Sequence, residues 1–458
     1  MQTHPFITLI LSLLSVILVS GCTSLARYPD NPPLERFDPQ QRAAGLEARG
    51  SGDILLVLTF SGGGSRAAAL AYGVLETLSQ TPLGGAGKRA SMLDEVDMIS
   101  AVSGGSVTAA YYGLHGDRLF RDFRADFLQR DVRAELKSNL LTPGTLSRIS
   151  SETFGSGDVL DEYFRDRLFG SASLDQLLDA EGPFIQINAT DLFKGGQFGF
   201  TQDQFALICS DIGKFPISRA VAASSAVPLI FSPVTLKNRA GSCDYTPPAW
   251  LTQGLKENGR ENRRHRIASN MHAYLEQEAH PYIHLVDGGL ADNLGLRAVM
   301  DYIVIEGGLW NTLKRFKLSD ARDIVVISVD ASALLPSKWE QSDSTPPNMA
   351  ILDAATTTPL LNYNFETLEY LRSNLASWRR ELKKHKCQGK LRCQAPEIFH
   401  IDLQLEGIAD AQRRNRLASI PTDFNLPPGA EAELIEAAHQ LLLQHPEFKR
   451  LMKRTQSP

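Results

Sequence analysis

The sequence lacks an excess of positive charge. Its 47 lysines and arginines are outnumbered by 52 aspartates and glutamates, and the formal net charge is −5 at pH 7. Proteins that bind the phosphate backbone of nucleic acids usually concentrate lysine and arginine on one face. The composition therefore argues against nucleic acid as a partner.

Charge is also absent from the beginning of the chain. Residues 6–19 are almost wholly apolar and uncharged, and residues 1–5 contain no Lys or Arg. A helix needs roughly 20 residues to cross a bilayer, so this run is too short to span one. It ends in Leu18-Val19-Ser20-Gly21-Cys22. Small residues after an apolar run are typical of a secretory signal.

The combination resembles the lipobox of bacterial lipoproteins. The resemblance implies that residues 1–21 are a signal peptide and that Cys22 becomes the lipidated first residue. Thr23, rather than Asp, follows the cysteine, which is similar to lipoproteins sorted to the outer membrane. We therefore expect a lipid anchor at the outer membrane of the bacterial cell envelope. Because residues 1–5 lack a basic residue, a short membrane anchor that is never cleaved is the alternative.

Cysteine is scarce as well, with five in 458 residues. The four besides Cys22 form no Cys-x-x-Cys pair and have no matching histidine spacing, which argues against a metal site. An even number of cysteines in an exported chain is typical of two disulfides. Of the three possible pairings, Cys209–Cys243 and Cys387–Cys393 close the shortest loops at the lowest entropic cost.

The remaining composition is that of a globular protein, since 43% of the residues are hydrophobic. Residues 22–52 contain four prolines and few large apolar groups, which predicts a tether. Continuous apolar runs predict buried strands at residues 54–60, 96–102, 184–190, 282–286 and 324–329, with a short hairpin arm at 197–201. Helical patterns lie between them, for example at 119–136 and 294–303. Strands that alternate with helices indicate an α/β sheet covered by helices.

Two regions interrupt this alternation. Residues 244–281 contain Trp250 and a charged run, and they predict an insertion that is either a solvated helical excursion or a lid. Residues 336–458 are mostly helical, with a short strand at 398–403. We expect them to form a C-terminal layer on a catalytic body of residues 53–335.

Ser103 stands between the strand at 96–102 and a helical stretch that begins after Gly104 and Gly105. A serine on a sharp strand-to-helix turn presents its hydroxyl outside the sheet, near the N–H groups of the new helix. The pattern G-x-S-x-G is met only in part, because Ala101 replaces the first glycine. The sequence therefore indicates either a nucleophile or an ordinary turn that contains a serine.

The run Gly62-Gly63-Gly64 follows the strand at 54–60 and precedes a helix. Consecutive glycines let backbone N–H groups converge on an anion or on a developing oxyanion. The stretch also fits the dinucleotide pattern G-x-G-x-x-A. However, no acidic residue ends a second strand about 20 residues later, and no Lys-Ser/Thr pair follows as in a P-loop. An oxyanion hole is the better interpretation.

Asp287 ends the strand at 282–286 and precedes two glycines, so it is either a turn residue or a carboxylate at a strand terminus. Sites in open α/β sheets form at the carboxyl ends of strands, where Ser103 is also expected. His284 is an odd number of residues away and points to the opposite face. The histidines that follow the acid lack a site-like context: His400, His439 and His445. The sequence therefore favours a Ser103–Asp287 dyad, with the carboxylate as the direct base.

Four sequence blocks occur in order and together resemble the patatin-like phospholipase family over residues 53–303. They are Gly62-Gly63-Gly64-Ser65-Arg66, Ser103-Gly104-Gly105, the run 222–228 with Phe231 and Pro233, and Asp287-Gly288-Gly289. Residues 188–191 are also similar to that family. The chain departs from it at Ser61, Ala67 and Ala101, where many members have Asp, Gly and Gly.

This resemblance implies a three-layer α/β sandwich with a mostly parallel central sheet and a helical C-terminal extension. It also implies hydrolysis of phospholipid or lysophospholipid esters, with Ser103 as nucleophile and Asp287 as base. Gly62, Gly63 and Gly64 would bind the oxyanion, and Arg66 would either brace the glycine loop or bind a substrate phosphate. Ser224, Ser225 and Pro228 would line the floor of the site. No metal or organic cofactor is called for.

Two other functions remain open at this level. One is a Ser-His-Asp esterase of the α/β-hydrolase type, which would use one of the three later histidines. The other is a non-enzymatic envelope lipoprotein that binds lipid or a protein partner through the glycine loop.

Overall fold

The computed structural model describes residues 26–39, 49–83, 91–178, 180–257, 262–332, 339, 342–388 and 394–455. The predicted signal peptide, Cys22 and Cys393 lie outside these residues. Among the described residues, no helix combines the length and the apolar character needed to cross a membrane.

An eight-stranded sheet forms the centre of the molecule, in the order β5-β6-β3-β2-β1-β7-β8, with β4 paired to β3. The pairs among β1, β2, β3, β7 and β8 are parallel, whereas β4, β5 and β6 join through antiparallel pairs. The strands are β1 (Ile54–Phe60), β2 (Val96–Val102), β3 (Phe184–Asp191), β4 (Gln197–Gly199), β5 (Val234–Lys237), β6 (Tyr282–Asp287), β7 (Asp323–Asp330) and β8 (Glu397–Gln404).

Helices cover both faces of the sheet. In chain order they are α1 (Gly64–Ser79), α2 (Gly104–His115), α3 (Leu119–Phe123), α4 (Val132–Leu140), α5 (Pro143–Ile149), α6 (Ser156–Phe164), α7 (Asp175–Leu178), α8 (Gln202–Leu207), α9 (Ile217–Ser224), α10 (Ala249–Lys256), α11 (Arg263–His272), α12 (Gly289–Asp292), α13 (Leu296–Ile305), α14 (Leu309–Arg315), α15 (Asn348–Cys387), α16 (Ala411–Ala418), α17 (Ala430–Gln444) and α18 (Pro446–Thr455).

Side-chain alternation along β1 explains the three layers. Leu56 and Leu58 belong to the main core with residues of α1, while Val57 packs on the opposite face near Val299 of α13. Because both faces are buried, the strand is a continuous apolar run rather than an alternating one. The predicted α/β fold is confirmed, with each predicted strand present within one or two residues.

Two local features differ from the elements expected from sequence. β5 was not predicted, because it has only four residues and alternates buried with half-buried positions. The helix expected at 119–136 is interrupted: α3 continues into a π-helical turn at Arg124–Leu128, and Asp131 then begins α4 by accepting a hydrogen bond from the Ala134 N–H at 2.9 Å. The N-cap residue Asp131 thus determines where α4 begins.

β6 brings Asp287 to the carboxyl end of the parallel strands, although β6 itself is antiparallel to its neighbour β3. It runs antiparallel to β3 and overlaps only its last three residues, with Asp287 opposite Ala189. Asn188, one residue earlier, is in register with Val102 of β2. The carboxyl end of β6 therefore stops level with Ser103, although the strand runs in the opposite direction.

Residues 26–39, expected to belong to a tether, instead pack against the body. The buried Asn31 side chain accepts a hydrogen bond from the Lys237 N–H at 2.7 Å and donates to Ser210 Oγ at 3.0 Å. Phe37 packs beside the disulfide between Cys209 and Cys243, whose Cα atoms are 5.5 Å apart. This disulfide confirms the first predicted pair. The second pair includes Cys393 and lies outside the described residues.

The segment after residue 336 is part of the central architecture rather than a layer upon it. β8 pairs along its whole length with β7, and α17 packs on α1. The insertion at 244–281 forms α10 and α11, and it lines a separate cavity with Trp250. No described residue of the insertion lines the cleft that contains Ser103.

Candidate active site

Ser103 occupies a strained turn between β2 and α2. Its φ of 50° is unusual for a residue with a side chain, and such strain persists only where the surroundings fix it. A Cβ on Gly104 would overlap the carbonyl oxygen of Gly64, and one on Gly105 would lie 2.7 Å from the Ser61 oxygen. Glycine is therefore required at both positions for the helix to start so close to the neighbouring loop.

Ser224 holds this turn from the opposite side. Its Oγ accepts a hydrogen bond from the Ser103 N–H at 2.8 Å and donates to the Asn188 carbonyl at 2.6 Å. Both bonds are buried. Ser224 therefore connects the turn to β3. Because the backbone N–H of Ser103 is already bonded to Ser224, the group that Ser103 can use in a reaction is its side-chain hydroxyl.

The Ser103 hydroxyl donates a hydrogen bond to Asp287, with 2.7 Å between Oγ and Oδ2. The other carboxylate oxygen, Oδ1, accepts from the Gly289 N–H at 2.8 Å. Burial raises the pKa of Asp287 from 3.8 to about 6, against the lowering effect of these two bonds. A carboxylate in this environment is a stronger base than an exposed aspartate.

The glycine loop lies beside this pair, but its three members differ. The Gly62 N–H donates to the Asn293 carbonyl at 3.0 Å, and a Cβ at Gly62 would lie 2.7 Å from Asn293 Oδ1. Gly62 therefore has no N–H to offer an oxyanion, which corrects the expectation that it belongs to the oxyanion hole. Within the described part of the chain, nothing accepts from the N–H groups of Gly63 and Gly64.

Positive φ angles of 139° at Gly63 and 59° at Gly64 turn these two N–H groups out of the strand direction. Gly64 also lies against the backbone of Asp423, where a Cβ would overlap the Asp423 carbonyl. That carbonyl accepts from the Ser65 N–H at 2.8 Å. The C-terminal segment thus fixes the first turn of α1 and the direction of the loop.

Arg66 is buried beneath the loop. Its Nε donates to the Ala331 carbonyl at 2.8 Å, and its terminal nitrogens contact the Ile420 carbonyl and Thr422 Oγ1. Burial lowers its pKa to about 10, so it stays charged at neutral pH. These contacts match the bracing alternative, and Arg66 is not among the described residues that line the cleft.

Ser103 opens into a cleft of about 360 Å³. Its walls are mainly apolar and come from α4, from the loop after α9 and from the C-terminal segment: Leu136, Leu140, Val227, Ile230, Phe231 and Phe424. Arg133 and Lys137, which also belong to α4, line the cleft as well. A pocket with apolar walls and a few polar groups at its base is typical of a site for a small apolar ligand or an acyl chain.

None of the described histidines contacts Ser103 or Asp287. His284 Nδ1 is 3.0 Å from Thr235 Oγ1. The three later histidines lie near other groups: His400 near Ser328, His439 beside Glu76 and His445 at the Glu447 N–H. The structure therefore offers no histidine for a triad within the described residues.

The sequence did not indicate the contacts that support the site from far along the chain. Asn293 and Asp423 act through backbone carbonyls, which carry no sequence signature. Ser224 was assigned only to the floor of the site. Its position in the third sequence block was the available signal for a closer role.

A profile of the family described as "Patatin-like phospholipase" matches residues 58–300, which is more than half of the chain. The chain belongs to the patatin-like phospholipase family. The identification made from the four sequence blocks is confirmed, and membership of this family supports lipid acyl hydrolase activity.

Among solved structures, the chain is similar to three of human GIVD cytosolic phospholipase A2. For the first, the identity is 13% over 88% of this chain and 60% of that chain, with a TM-score of 0.44. Two further structures contain methyl gamma-linolenyl fluorophosphonate. With terbium chloride also present, identity is 12% over 94% of this chain and 66% of that chain. In the structure without terbium chloride, the identity is 12% over 92% of this chain and 65% of that chain. The TM-score is 0.40 for each of these two inhibitor-containing structures. No curated protein matches the sequence.

Proposed function

We propose that this patatin-like protein hydrolyses the carboxylic ester bonds of phospholipids or lysophospholipids, with Ser103 as nucleophile and Asp287 as general base. The observation that carries the proposal is the hydrogen bond of 2.7 Å between Ser103 Oγ and Asp287 Oδ2. The pair lies at the base of an apolar cleft, beside the two N–H groups of Gly63 and Gly64.

In the first half of the reaction, Ser103 Oγ attacks the ester carbonyl carbon and its proton passes to Asp287 Oδ2. The carbonyl oxygen becomes an oxyanion, to which the N–H groups of Gly63 and Gly64 donate. When the tetrahedral intermediate collapses, the C–O bond of the ester breaks and Asp287 returns the proton to the leaving alcohol. The acyl group remains on Ser103.

In the second half, Asp287 takes a proton from a water molecule, and the resulting hydroxide attacks the acyl carbonyl. The Ser103–acyl bond then breaks, the fatty acid leaves and the proton returns to Ser103 Oγ. One carboxylate can perform both steps because burial brings its pKa closer to neutral pH. The apolar walls of the cleft suit an acyl chain, which supports a lipid rather than a polar ester as substrate.

We also propose that the protein acts in the cell envelope, bound through lipidated Cys22. The disulfide between Cys209 and Cys243 supports an oxidising compartment. Mass spectrometry of the purified full chain tests the lipidation: Cys22 is expected at the N-terminus with attached acyl groups. A free thiol on Cys22 in the mature protein would refute this part of the proposal.

The dyad is tested with Ser103→Ala and Asp287→Asn. Each is expected to reduce ester hydrolysis by about three orders of magnitude or more, and Ser103→Ala is expected to abolish labelling by a fluorophosphonate ester. Ser225→Ala is the matched control, because Ser225 is an equally buried serine near the site whose hydroxyl has no hydrogen-bond partner among the described residues. Circular dichroism of each variant checks that the fold is intact.

Two outcomes favour the alternatives. An unlabelled wild-type Ser103 without hydrolysis would support a lipid-binding or partner-binding protein. Loss of hydrolysis in a His400→Gln, His439→Gln or His445→Gln variant, with an active Asp287→Asn, would support a triad esterase.

A further inference from the structure

Four exposed large apolar side chains belong to the segments that line the Ser103 cleft or to the residues that follow them in the chain. Leu229 and Ile230 are 69% and 62% exposed, and Ile230 also lines the cleft. On the opposite wall, Leu140 lines the cleft and the next residue, Leu141, is 61% exposed. Leu146 of α5 is 51% exposed. We call Leu141, Leu146, Leu229 and Ile230 the apolar rim.

Two of the rim residues, Leu229 and Ile230, lie on one tight turn. Leu229 has a φ of 73°, which is strained for a leucine. The turn around it is fixed because the Phe231 N–H donates to the Val227 carbonyl at 2.9 Å, and the Ile230 carbonyl accepts from Ser156 Oγ at 3.4 Å. A strained, exposed leucine at the opening of a cleft is a feature that points to function rather than to packing.

The N-terminal segment leaves the body close to this rim. The Ala26 carbonyl accepts hydrogen bonds from Ser151 and Thr153, the latter at 2.9 Å. These residues precede Ser156, which contacts Ile230, by only a few positions in the chain. Cys22 is four residues before Ala26, and four extended residues span about 14 Å at most. A lipid on Cys22 would therefore enter its membrane near the mouth of the cleft.

The charge beside the rim suits a lipid surface. Lys137 is exposed on the cleft side of α4, while Arg133 next to it pairs with Asp423 at 2.7 Å. Lysine next to exposed leucine and isoleucine is the combination that favours the interface of an anionic bilayer, where the apolar groups enter the acyl region and the ammonium remains at the headgroups.

We propose that the apolar rim rests on the surface of the bilayer in which the Cys22 lipid is anchored, so that the Ser103 cleft opens toward the membrane. The proposal rests on the proposed lipid substrate and on lipidation of Cys22. A short connection and a fixed apolar contact together hold the body in one orientation. A lipid molecule can then pass from the bilayer into the cleft without crossing water.

The orientation is tested without any measurement of activity. The lipidated full chain carrying Leu141→Trp is reconstituted into vesicles of phosphatidylethanolamine and phosphatidylglycerol. Leu141 is suitable because its φ of −86° imposes no strain. Because the chain already has four tryptophans, the signal is read as the difference from the wild type in the same vesicles. We expect this difference emission to lie at shorter wavelengths and to be quenched by brominated lipids. Leu443→Trp, on α17 and also half exposed, is the control and should remain in water.

Equal quenching of the two tryptophans, or of neither, would overturn the proposed orientation. A shift of the Leu141→Trp emission in detergent solution that depends on protein concentration would also overturn it, because a second copy of the chain would then cover the rim.

A double variant of the apolar rim tests the consequence for catalysis. Leu141→Asn with Leu229→Asn removes two rim residues that do not line the cleft, and asparagine tolerates the φ of Leu229. Hydrolysis of vesicle phospholipid is expected to fall about tenfold or more, while hydrolysis of a water-soluble ester is unchanged. Leu443→Asn should change neither. An equal loss on both substrates would contradict the proposal.

If the wild type hydrolyses neither substrate, the proposed function fails, whereas the tryptophan measurement still decides the orientation.

Discussion

At the scale of single residues, burial of Asp287 makes its carboxylate a stronger base and also makes the folded protein less stable. Its carboxyl group is buried, and burial raises its pKa from 3.8 to about 6. Ionisation at neutral pH therefore occurs in an environment that disfavours the charge. The same desolvation that strengthens the base destabilises the native state above that pH.

The first prediction concerns pH. Because the folded protein holds this proton to a higher pH than the unfolded chain, it binds more protons between about pH 4 and 6, and its stability falls as pH rises through this window. Asp287→Asn cannot ionise. It should therefore be more stable than the wild type above pH 6, by up to about 3 kcal/mol for two pKa units, and lose this advantage near pH 4.

Urea unfolding of both proteins at several pH values measures the difference. In parallel, kcat/KM of the wild type on a soluble ester should rise with pH and level off above about 6, when Asp287 is ionised. A stability difference that does not change between pH 4 and 7 would show that Asp287 is not the destabilising group.

The second prediction compares two adjacent serines. Ser224→Ala leaves the buried Ser103 N–H without its acceptor, which should cost about 1–3 kcal/mol of stability and slow fluorophosphonate labelling about tenfold. Ser225→Ala removes a buried hydroxyl for which the described part of the chain offers no hydrogen-bond partner, and it should be neutral or stabilising. Labelling rates and thermal unfolding separate the two, and similar behaviour of both variants would exclude a positioning role for Ser224.

At the scale of elements, the site depends on how closely two helices begin beside each other. α1 starts at Gly64 and α2 at Gly104, and the Gly104 Cα lies against the Gly64 carbonyl. This contact brings the glycine-loop N–H groups next to the turn of Ser103. This contact explains why glycine is required at position 104, where a Cβ would overlap the Gly64 carbonyl.

The third prediction tests this contact. Gly104→Ala introduces a methyl group that overlaps the Gly64 carbonyl, so either loop must move. We expect a loss of about 1–3 kcal/mol and loss of activity. Gly144→Ala, also in the first turn of a helix but with open space around it, is the control and should be neutral or slightly stabilising. Near-wild-type hydrolysis by Gly104→Ala would contradict the role of the contact.

The elements that could be predicted from sequence are those with a local cause. A strand buried on both faces, such as β1, is a run of apolar residues, and a close approach of two backbones, as at Gly104, requires glycine. The direction of β6 and the existence of β5 could not be predicted, because both depend on pairing with distant strands. Ser103 and Asp287 nevertheless meet, since β6 overlaps only the end of β3.

At the scale of the whole molecule, residues from both ends of the chain pack against the central body, and those of the C-terminal segment also contact the glycine loop. Residues 26–39 pack on β5 and the disulfide, although their prolines suggested a tether; the side chain of Asn31 and the ring of Phe37 supply contacts that composition does not reveal. The segment around Asp423 is more than 300 residues from the glycine loop in sequence. Backbone contacts over such distances carry no local signal, so this support could not be predicted.

The last prediction tests that long-range support with two arginines that contact the same C-terminal segment. Arg66 is buried and donates to carbonyls of Ala331 and Ile420. Arg66→Met leaves these acceptors without a donor and should cost about 2–4 kcal/mol. Arg133 is 71% exposed in its ion pair with Asp423, so Arg133→Met should cost about 1 kcal/mol or less.

The two arginine variants should also differ in reactivity. Without Arg66, the loop of Gly63 and Gly64 loses its side-chain bonds to the segment at residues 420–423 and keeps the backbone bond from the Ser65 N–H to the Asp423 carbonyl. Fluorophosphonate labelling of Ser103 should therefore slow even in conditions where the protein is fully folded. Arg133→Met should be labelled at the wild-type rate. If Arg66→Met is destabilised but labelled normally, the Arg66 side chain stabilises the fold without orienting the oxyanion donors, and the backbone bond between Ser65 and Asp423 is sufficient to hold the loop.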